Sequence, residues 1–156
     1  MHRLYENEDI AVFWDSEKCF RAKRCVASSP ATFDKDRRPW IDVTLAPTME
    51  IWQAVEKCPS GALSCTYKHD VSVGLDTDSH CSRAILNGEV IGECDYEPTD
   101  DGWEIYHTEV TPEYTGKGIA KRLVYKIAEA AERQRVNVIP TCSYAARILT
   151  DDKNGR

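Results

Sequence analysis

The stretch "KCFRAKRC" at residues 18–25 decides how the first half of the chain is interpreted. It places Cys19 and Cys25 close together, and a second stretch, "EKCPSGALSC" at 56–65, supplies Cys58 directly before a proline. Thiols in such a pattern can close a disulfide, ligate a zinc ion or hold a metal cluster. The surrounding sequence distinguishes among these readings.

The cysteine count argues against a secreted disulfide scaffold. The chain of 156 residues contains 7 cysteines, an odd number, and its start, "MHRLYENEDIAVFW", lacks the basic and apolar segments of a signal peptide. Thiols clustered in a reducing compartment usually serve metals or catalysis, so we expect a cytoplasmic protein. Cys81 and Cys94 fall in predicted strands and are expected to be buried apolar residues.

Charge and hydropathy exclude two classes of partner. The net charge is -6, so no broad basic surface is predicted for binding nucleic acid. No apolar run approaches the roughly 20 residues that cross a membrane. We therefore expect neither nucleic acid nor a membrane as a partner.

The spacing of the first cysteines favours an incomplete iron–sulfur site. Such clusters are held by Cys thiolates, often by a C-x2-C-x2-C loop and a distant C-P pair. Cys19 and Cys25 stand at the first and third loop positions, Ala22 stands at the second, and Cys58 precedes a proline. Three thiolates suit a [3Fe–4S] cluster, or a [4Fe–4S] cluster whose fourth iron has a non-Cys ligand. Zinc stays open as an alternative, although paired zinc ligands usually have two to four intervening residues. Cys65 is a candidate fourth ligand for either a cluster or zinc, and its structural alternative is a buried strand residue.

The first half also carries a family resemblance. "WDSEKCFRAKRCVASSPATFDKDRRPW" (14–40) followed by "AVEKCPSGALS" (54–64) resembles the small single-cluster ferredoxins. It is most similar to the divergent single-cluster domain that accompanies small acetyltransferases, and the resemblance covers about residues 10–67. It implies that a 3Fe-4S or 4Fe-4S cluster is held by three ligands, Cys19, Cys25 and Cys58. The basic residues of the loop would offset the negative cluster or dock an acidic redox partner protein.

Periodicity and turn residues divide the chain into two halves. The polar stretch "KHDVSVGLDTDSH" (68–80) lacks helical periodicity and is predicted to link two domains. Before it, the apolar run 10–14 and the segment 62–67 predict strands, and Thr48 is predicted to cap a short helix.

The second half predicts a mixed sheet covered by helices. A hairpin is predicted from strands at 81–86 and 89–97, because Asn87-Gly88 lies between them. A third strand is predicted at 102–110, followed by a long amphipathic helix from Ile119. A fourth strand (136–142) and a short helix (143–149) complete the pattern, and strand-helix-strand order after a hairpin favours this architecture.

A glycine-containing loop precedes the long helix. "EYTGKGIAKRL" (113–123) places Gly116 and Gly118 directly before it. Glycine lets the backbone approach a ligand closely, and a helix N-terminus attracts anions. Alone, this pattern also occurs in ordinary turns.

The segments around this loop resemble a known superfamily. "GEVIGECDYE" (88–97), "IYHTEVTPEYTGKGIAKRLV" (105–124) and "VNVIPTCSY" (136–144) are similar to the minimal GCN5-related N-acetyltransferases, over about residues 81–149. In that superfamily the loop binds the pyrophosphate of acetyl-CoA, which implies CoA binding by Thr115, Gly116, Lys117, Gly118, Ile119 and Ala120. The superfamily usually has Arg or Gln where this chain has Thr115, so one cation is missing and the expected affinity for CoA is lower.

Four residues are candidates for catalysis of acetyl transfer. His107 and Glu109 are two apart in a predicted strand and therefore share a face, and histidine is a suitable base because it titrates near neutral pH. Cys142 precedes a predicted helix, whose N-terminus would activate the thiol as a nucleophile or polarising group. Tyr144 is placed to protonate the leaving thiolate of CoA. The structural alternatives are a strand histidine, a small buried cysteine and a packing aromatic.

Together these observations predict an α+β protein. A small ferredoxin-like iron–sulfur domain (1–67) is followed by a linker (68–80) and a minimal acetyltransferase-like mixed α/β domain (81–156). The first hypothesis is an acetyl-CoA-dependent N-acetyltransferase, acting on an unidentified amine and carrying a regulatory or redox-active cluster. The second is an electron-transfer or redox-sensing protein with a non-catalytic CoA-binding module. A third is a cluster-free binding protein stabilised by zinc or thiols.

Overall fold

The computed structural model describes residues 2–150, so the outer ends of the predicted domains, residue 1 and residues 151–156, lie outside the described residues. The chain separates into two compact units, the first ending at Tyr67 and the second beginning at Lys68. Each unit has an apolar core of its own. The α+β class expected from the sequence is confirmed.

The first unit contains an antiparallel sheet in the order β1-β2-β3 and two short helices. Its elements are β1 His2–Glu6, β2 Ile10–Asp15, α1 Arg24–Ser28, α2 Thr48–Glu56 and β3 Leu63–Tyr67. The predicted strands at 10–14 and 62–67 are present, whereas β1 and α1 were not predicted. The central strand β2 is buried at five of its six positions, because it has neighbours on both edges.

The start of α2 differs from the prediction by one residue. Pro47, with φ -64° and ψ 149°, is the cap, and Thr48 is already helical. The carbonyl of Pro47 accepts the first helical bond from the backbone N–H of Ile51 at 3.1 Å. Proline serves here because only its carbonyl is needed at this position, and its missing N–H removes nothing from the helix.

The second unit contains a five-stranded sheet in the order β4-β5-β6-β7-β8 with two helices. Its elements are β4 Ser72–Asp76, β5 Cys81–Leu86, β6 Glu89–Thr99, β7 Gly102–Val110, a 3-10 turn Pro112–Tyr114, α3 Ile119–Arg133, β8 Val138–Pro140 and α4 Ser143–Thr150. All pairs are antiparallel except β7 with β8, which α3 connects as a crossover. Asn87 and Gly88, at φ 53° and 83°, form the hairpin turn, as expected.

The stretch 68–80, interpreted from sequence as a linker, instead contributes β4 at the edge of this sheet. Val71, which precedes β4, is buried, and its carbonyl accepts a 2.8 Å hydrogen bond from Nη2 of Arg122 in α3. The interpretation failed because β4 is short and carries Gly74 and polar residues. Edge strands commonly have such compositions, which weaken the alternating pattern.

The long helix α3 covers one face of the sheet with its apolar stripe. All seven residues predicted to form this stripe are buried: Ile119, Ala120, Leu123, Val124, Ile127, Ala128 and Ala131. Gly92 of β6 permits a close approach, because a Cβ there would lie 3.2 Å from Cδ1 of Leu123. Within residues 2–150, no helix combines the length and apolar character needed to cross a membrane.

Candidate functional site

The three predicted cluster ligands of the first unit line one cavity. Cys19 lies in the loop after β2, Cys25 lies in α1, and Cys58 is the second residue after the end of α2. The loop folds back because Arg21 and Lys23 adopt left-handed conformations, with φ 61° and 62°. The three thiols are free and partly buried.

Two of these thiols have perturbed acidities with different causes. Burial raises the pKa of Cys25, and the neighbouring charges of Cys58 and Cys19 raise it further. Burial also opposes ionisation of Cys58, but hydrogen bonds outweigh it and lower the pKa of this thiol. The donors are the side chain of Ser60 and the backbone N–H groups of Ser60, Ala62 and Leu63, so the turn after Cys58 stabilises a thiolate.

Within the described part of the chain, the three thiols do not all lie within 4.8 Å of one another. Tetrahedral zinc with Zn–S bonds of about 2.3 Å brings its sulfurs to about 3.8 Å from one another. Among the described residues, the only three candidate ligand atoms found within 4.8 Å of one another belong to a different group in the second unit. In a cluster, separate irons take the thiolates, which therefore stand farther apart. Ala22 also lines the cavity, whereas Cys65, the alternative ligand, lies in β3 opposite Val12 and is not among its lining residues.

Two tryptophans that sequence reasoning did not assign to the site also line this cavity. The indole Nε1 atoms of Trp14 and Trp40 are buried and have no hydrogen-bond partner within residues 2–150. A buried donor without an acceptor calls for an explanation, such as a bound water, ion or larger group. The stretch 14–40 quoted above begins with Trp14 and ends with Trp40, but the sequence carried no sign that their rings would line the cavity of the thiols.

The predicted CoA loop of the second unit borders a second cavity, at the N-terminus of α3. Gly118 precedes the helix with φ 75°, and no side chain caps the first-turn N–H groups. Such a terminus is suited to an anion. Of the six predicted CoA-binding residues, five line the cavity: Thr115, Gly116, Gly118, Ile119 and Ala120. Lys117 is half-buried in the loop and is not among the lining residues.

The catalytic candidates His107 and Glu109 lie on the same exposed face of β7. Nε2 of His107 lies 2.9 Å from Oε1 of Glu109, and both side chains reach solvent. The alternative interpretation, a structural histidine in a largely buried strand, assumed a buried side chain, whereas the side chain of His107 is exposed. Glu109 lines the cavity at α3 and also an adjoining groove, which His107 borders.

The groove contains two further carboxylates that sequence reasoning missed. Glu93 and Asp95 of β6 line it together with His107. Burial raises the pKa of Asp95 to about 6, with a hydrogen bond and the charge of Glu93 adding to the shift, against the opposing charges of His107 and Arg83. The alternation of "GECDYE" places both carboxylates on one face, but the sequence did not indicate which strand lies beside them.

Glu93 and Asp95, with the buried thiol of Cys81, form the group of ligand atoms within 4.8 Å of one another. Arg83 already compensates the negative charge of this group. It donates from Nε to Glu93 Oε1 at 3.3 Å and from Nη1 to Asp76 Oδ2 at 3.2 Å. Because Arg83 already balances these charges, we assign no metal ion to the group.

Cys142 and Tyr144 occupy different positions relative to the cavity. Tyr144 lines it, with the guanidinium of Arg147 4.9 Å from its ring centroid. Cys142 is not among the lining residues, and its Sγ caps α4 by accepting the backbone N–H of Ala145 at 3.3 Å. Its Sγ also lies 3.4 Å from the hydroxyl of Thr108, which contacts Cys94 at 3.3 Å. The structural alternative for Cys142 thus has direct geometric support.

The first half of the chain matches a described family. Residues 5–68 match the profile of the divergent 4Fe-4S mono-cluster family. The uncharacterized protein YjdI of Escherichia coli K12 is 31% identical over 68 residues, which are 44% of this chain and 87% of YjdI. The YjdI protein of Escherichia coli O157:H7 has the same identity and coverage.

The second half of the chain matches a second family profile. Residues 83–155 match the GCN5-related N-acetyl-transferase profile. Among solved structures, ribosomal-protein-alanine N-acetyltransferase from Brucella melitensis biovar Abortus 2308 aligns with TM-score 0.35 and 23% identity, over 49% of this chain and 55% of that one. A GCN5-related N-acetyltransferase from Sphaerobacter thermophilus aligns with TM-score 0.37 and 16% identity, over 83% of this chain and 34% of that one. The chain thus spans about half and one third of these solved proteins. On the cysteine pattern and the relatives of its first half, the chain belongs to the divergent single-cluster 4Fe-4S family, and its second half matches the GCN5-related N-acetyl-transferase profile.

Proposed function

We propose that the protein is an acetyl-CoA-dependent N-acetyltransferase that carries an iron–sulfur cluster in its first domain. The observation that carries the enzymatic part is the shared position of Glu109. This residue borders both the cavity at the N-terminus of α3 and the groove that contains His107. A donor bound in the cavity and an amine bound in the groove would therefore meet beside Glu109.

The proposed site would bind acetyl-CoA, the acetyl donor, through backbone N–H groups more than through positively charged side chains. The pyrophosphate of acetyl-CoA would accept hydrogen bonds from N–H groups of the Gly116–Ala120 segment and gain from the dipole of α3. Thr115 supplies no charge, and its hydroxyl already donates to the carbonyl of Pro112 at 2.9 Å. We therefore expect binding in the micromolar range of dissociation constants, weaker than a loop with an added cation would give.

The groove supplies groups for the proton transfers. His107 would take a proton from the attacking amine, oriented by its contact with Glu109. The neutral amine nitrogen would then bond to the acetyl carbon, the carbon–sulfur bond of acetyl-CoA would break, and Tyr144 would protonate the departing thiolate. The second proton that the nitrogen loses as it becomes an amide would return to the oxygen of Tyr144. The carboxylates of Glu93 and Asp95 favour an acceptor that arrives as a cationic amine.

Cys19, Cys25 and Cys58 would hold the cluster, which supplies one-electron redox chemistry when bound. The turn after Cys58 keeps one ligand available as thiolate, and the left-handed loop residues bring Cys19 towards Cys25. The seven free thiols agree with a reducing compartment, and we place the protein in the cytoplasm.

The donor site is tested by titrating CoA against two variants of one position. Gly116→Glu introduces a negative charge beside the proposed pyrophosphate, and Gly116→Gln introduces a side chain of the same length without charge. Both carry the same strain, because Gly116 has φ 80°. We expect calorimetry to give at least tenfold weaker CoA binding for Gly116→Glu than for Gly116→Gln. Equal affinities in the two variants would show that the loop does not bind the pyrophosphate.

The second candidate is an electron-transfer or redox-sensing protein whose CoA-binding half only docks a ligand. The gathering of three thiols in one cavity favours it independently of the acetyltransferase half. Screening purified protein and acetyl-CoA against amines and peptides, with release of free CoA thiol as the readout, separates the candidates. Turnover that disappears in Gly116→Glu supports the enzyme, whereas CoA binding without any turnover supports the redox protein.

A further inference from the structure

Two indole groups in the first unit line the same cavity as the three thiols, and their Nε1 atoms are buried. Trp14 lies near the end of β2, and Trp40 lies in the loop between α1 and α2. Both line the cavity that Cys19, Cys25 and Cys58 also line. Their Nε1 atoms have no acceptor within residues 2–150.

Indole Nε1–H is a donor only, so it cannot be satisfied by another donor. A buried donor loses its bond to water on folding and regains nothing unless an acceptor is provided. Finding two such donors around one cavity therefore points to an acceptor inside it. The sulfur atoms of an anionic cluster and its thiolate ligands are acceptors of this kind.

Both rings are held in place before any ligand arrives. They pack edge to face, with centroids 5.0 Å apart, and Phe33 packs on Trp40 at 5.8 Å. The carbonyl of Trp40 accepts from the backbone N–H of Asp34 at 2.8 Å and from Nη2 of Arg37 at 3.3 Å. Trp14 is fixed by strand pairing on both sides. The two donors are thus positioned by the fold.

We propose that the indole N–H groups of Trp14 and Trp40 donate hydrogen bonds to sulfur atoms of the cluster site and set its reduction potential. The inference rests on the proposed binding of a cluster. Hydrogen bonds to cluster sulfurs stabilise the reduced state, which carries the extra negative charge, and so raise the potential. Removing either donor shifts the potential to a more negative value.

The test uses the full chain purified without oxygen and three Trp→Phe variants. Trp14→Phe and Trp40→Phe keep an aromatic ring but remove the N–H. Trp52→Phe is the matched control, because Trp52 stacks on Tyr67 at 4.6 Å and is not among the residues that line the cavity. Redox titration followed by EPR is expected to give more negative potentials for Trp14→Phe and Trp40→Phe, and the wild-type potential for Trp52→Phe.

A second measurement keeps the inference testable if a variant does not retain its cluster. Wild-type protein labelled with ¹⁵N at the indoles and exchanged into D2O is expected to show hyperfine coupling of two indole deuterons to the paramagnetic cluster. Wild-type potentials in both cavity variants, or a cluster without indole coupling, would overturn the inference while leaving the cluster in place. Absence of iron and acid-labile sulfide from the wild-type protein would instead overturn the proposed cluster itself.

Discussion

At Gly102 the backbone turns into β7 with φ 143°, a value that side chains rarely permit. A Cβ at this position would collide with the carbonyl oxygen of Asn137, which is held there by a 2.8 Å hydrogen bond from the N–H of Trp103. The same bond fixes the edge where β7 meets β8. A single residue therefore controls how closely the last strand docks onto the sheet.

We expect Gly102→Ala to lower the free energy of unfolding of the second unit by about 2 kcal/mol or more, since strain and a backbone clash add. Gly74→Ala is the matched control, because no atom lies within 4 Å of a Cβ there and its φ is not in the left-handed region. Urea unfolding followed by circular dichroism measures both. Equal stability of the two variants would contradict the role of the close approach.

Asp95 provides a pH-dependent prediction at the same scale. Its pKa is raised to about 6 by burial and by Glu93, so the fold disfavours its ionised form, although Arg83 and His107 on the neighbouring strands act in the opposite direction. The protonated form of Asp95 stabilises the fold. This stabilisation is fully present below the ordinary pKa of aspartate, about 4, and is lost as the pH rises through about 6. Asp95→Asn, which cannot ionise, should match the wild type near pH 4 and exceed it in stability above pH 6.5.

Hydrogen exchange of the β6 amides as a function of pH measures this difference locally. Glu97→Gln, an exposed residue of the same strand, serves as the control and should give no such trend. A constant difference between Asp95→Asn and wild type from pH 4 to 7.5 would contradict the raised pKa.

The sequence predicted residues of the site by their local spacing and missed those that come from distant segments. Cys19, Cys25 and Cys58 were found because ligand spacing is a local pattern, and the structure brings them to one cavity. Trp14 and Asp95 were missed because their roles depend on the segments that pack beside them. Cys142 was predicted to act in catalysis from its position before α4; its sulfur accepts a helix N–H there, and the catalytic role stays a prediction.

At the scale of elements, a polar contact joins α1, which contains Cys25, to α2, which ends shortly before Cys58. Ser29, directly after α1, is fully buried and hydrogen-bonds Oε2 of Glu50 in α2 at 2.8 Å and Oγ1 of Thr32 at 2.9 Å. Cys25 precedes Ser29 by one helical turn, and the backbone N–H of Ser29 bonds the carbonyl of Cys25 at 2.9 Å. Displacing α1 from α2 would therefore separate the ligands.

We expect Ser29→Ala to lower the free energy of unfolding of the first unit by about 1–3 kcal/mol, because it removes the hydroxyl that bonds the half-buried carboxylate of Glu50 and the buried hydroxyl of Thr32. The cluster should also be released faster to an iron chelator. Ser28→Ala, one residue earlier and outside this network, is the control. Chelation kinetics and thermal unfolding measure both effects, and equal release rates in the two variants would contradict the proposed tie.

The sequence predicted those strands and helices whose residues form a strong hydrophobic or turn pattern, and it did not predict those with a weak pattern. The boundaries of β5, β7 and the start of α3 agree with the sequence, because a turn at Asn87-Gly88 and a seven-residue apolar stripe are strong local signals. The edge strands β1 and β4 escaped prediction. Each has one paired side only, so its sequence needs few buried residues, and tertiary pairing supplies the rest of its stability.

At the scale of the whole molecule, the two apolar cores have no residue in common. The core of the first unit draws on residues up to Cys65, and that of the second draws on residues from Val71 onward. Each unit is small, so its bound group should contribute a large share of its stability. We therefore expect the full chain to unfold in two transitions that respond to different ligands.

Calorimetry of the full chain measures these transitions. CoA at 100 times its dissociation constant should stabilise only the second unit, by about 2.7 kcal/mol, and removal of iron should lower only the first transition. Gly116→Glu is the control that cancels the CoA response and leaves the iron response unchanged. A single transition that moves with both ligands would contradict the separation of the cores. By thermodynamic reciprocity, such coupling would also make CoA shift the reduction potential of the cluster, which is the form that regulation of the enzyme by its cluster would have to take.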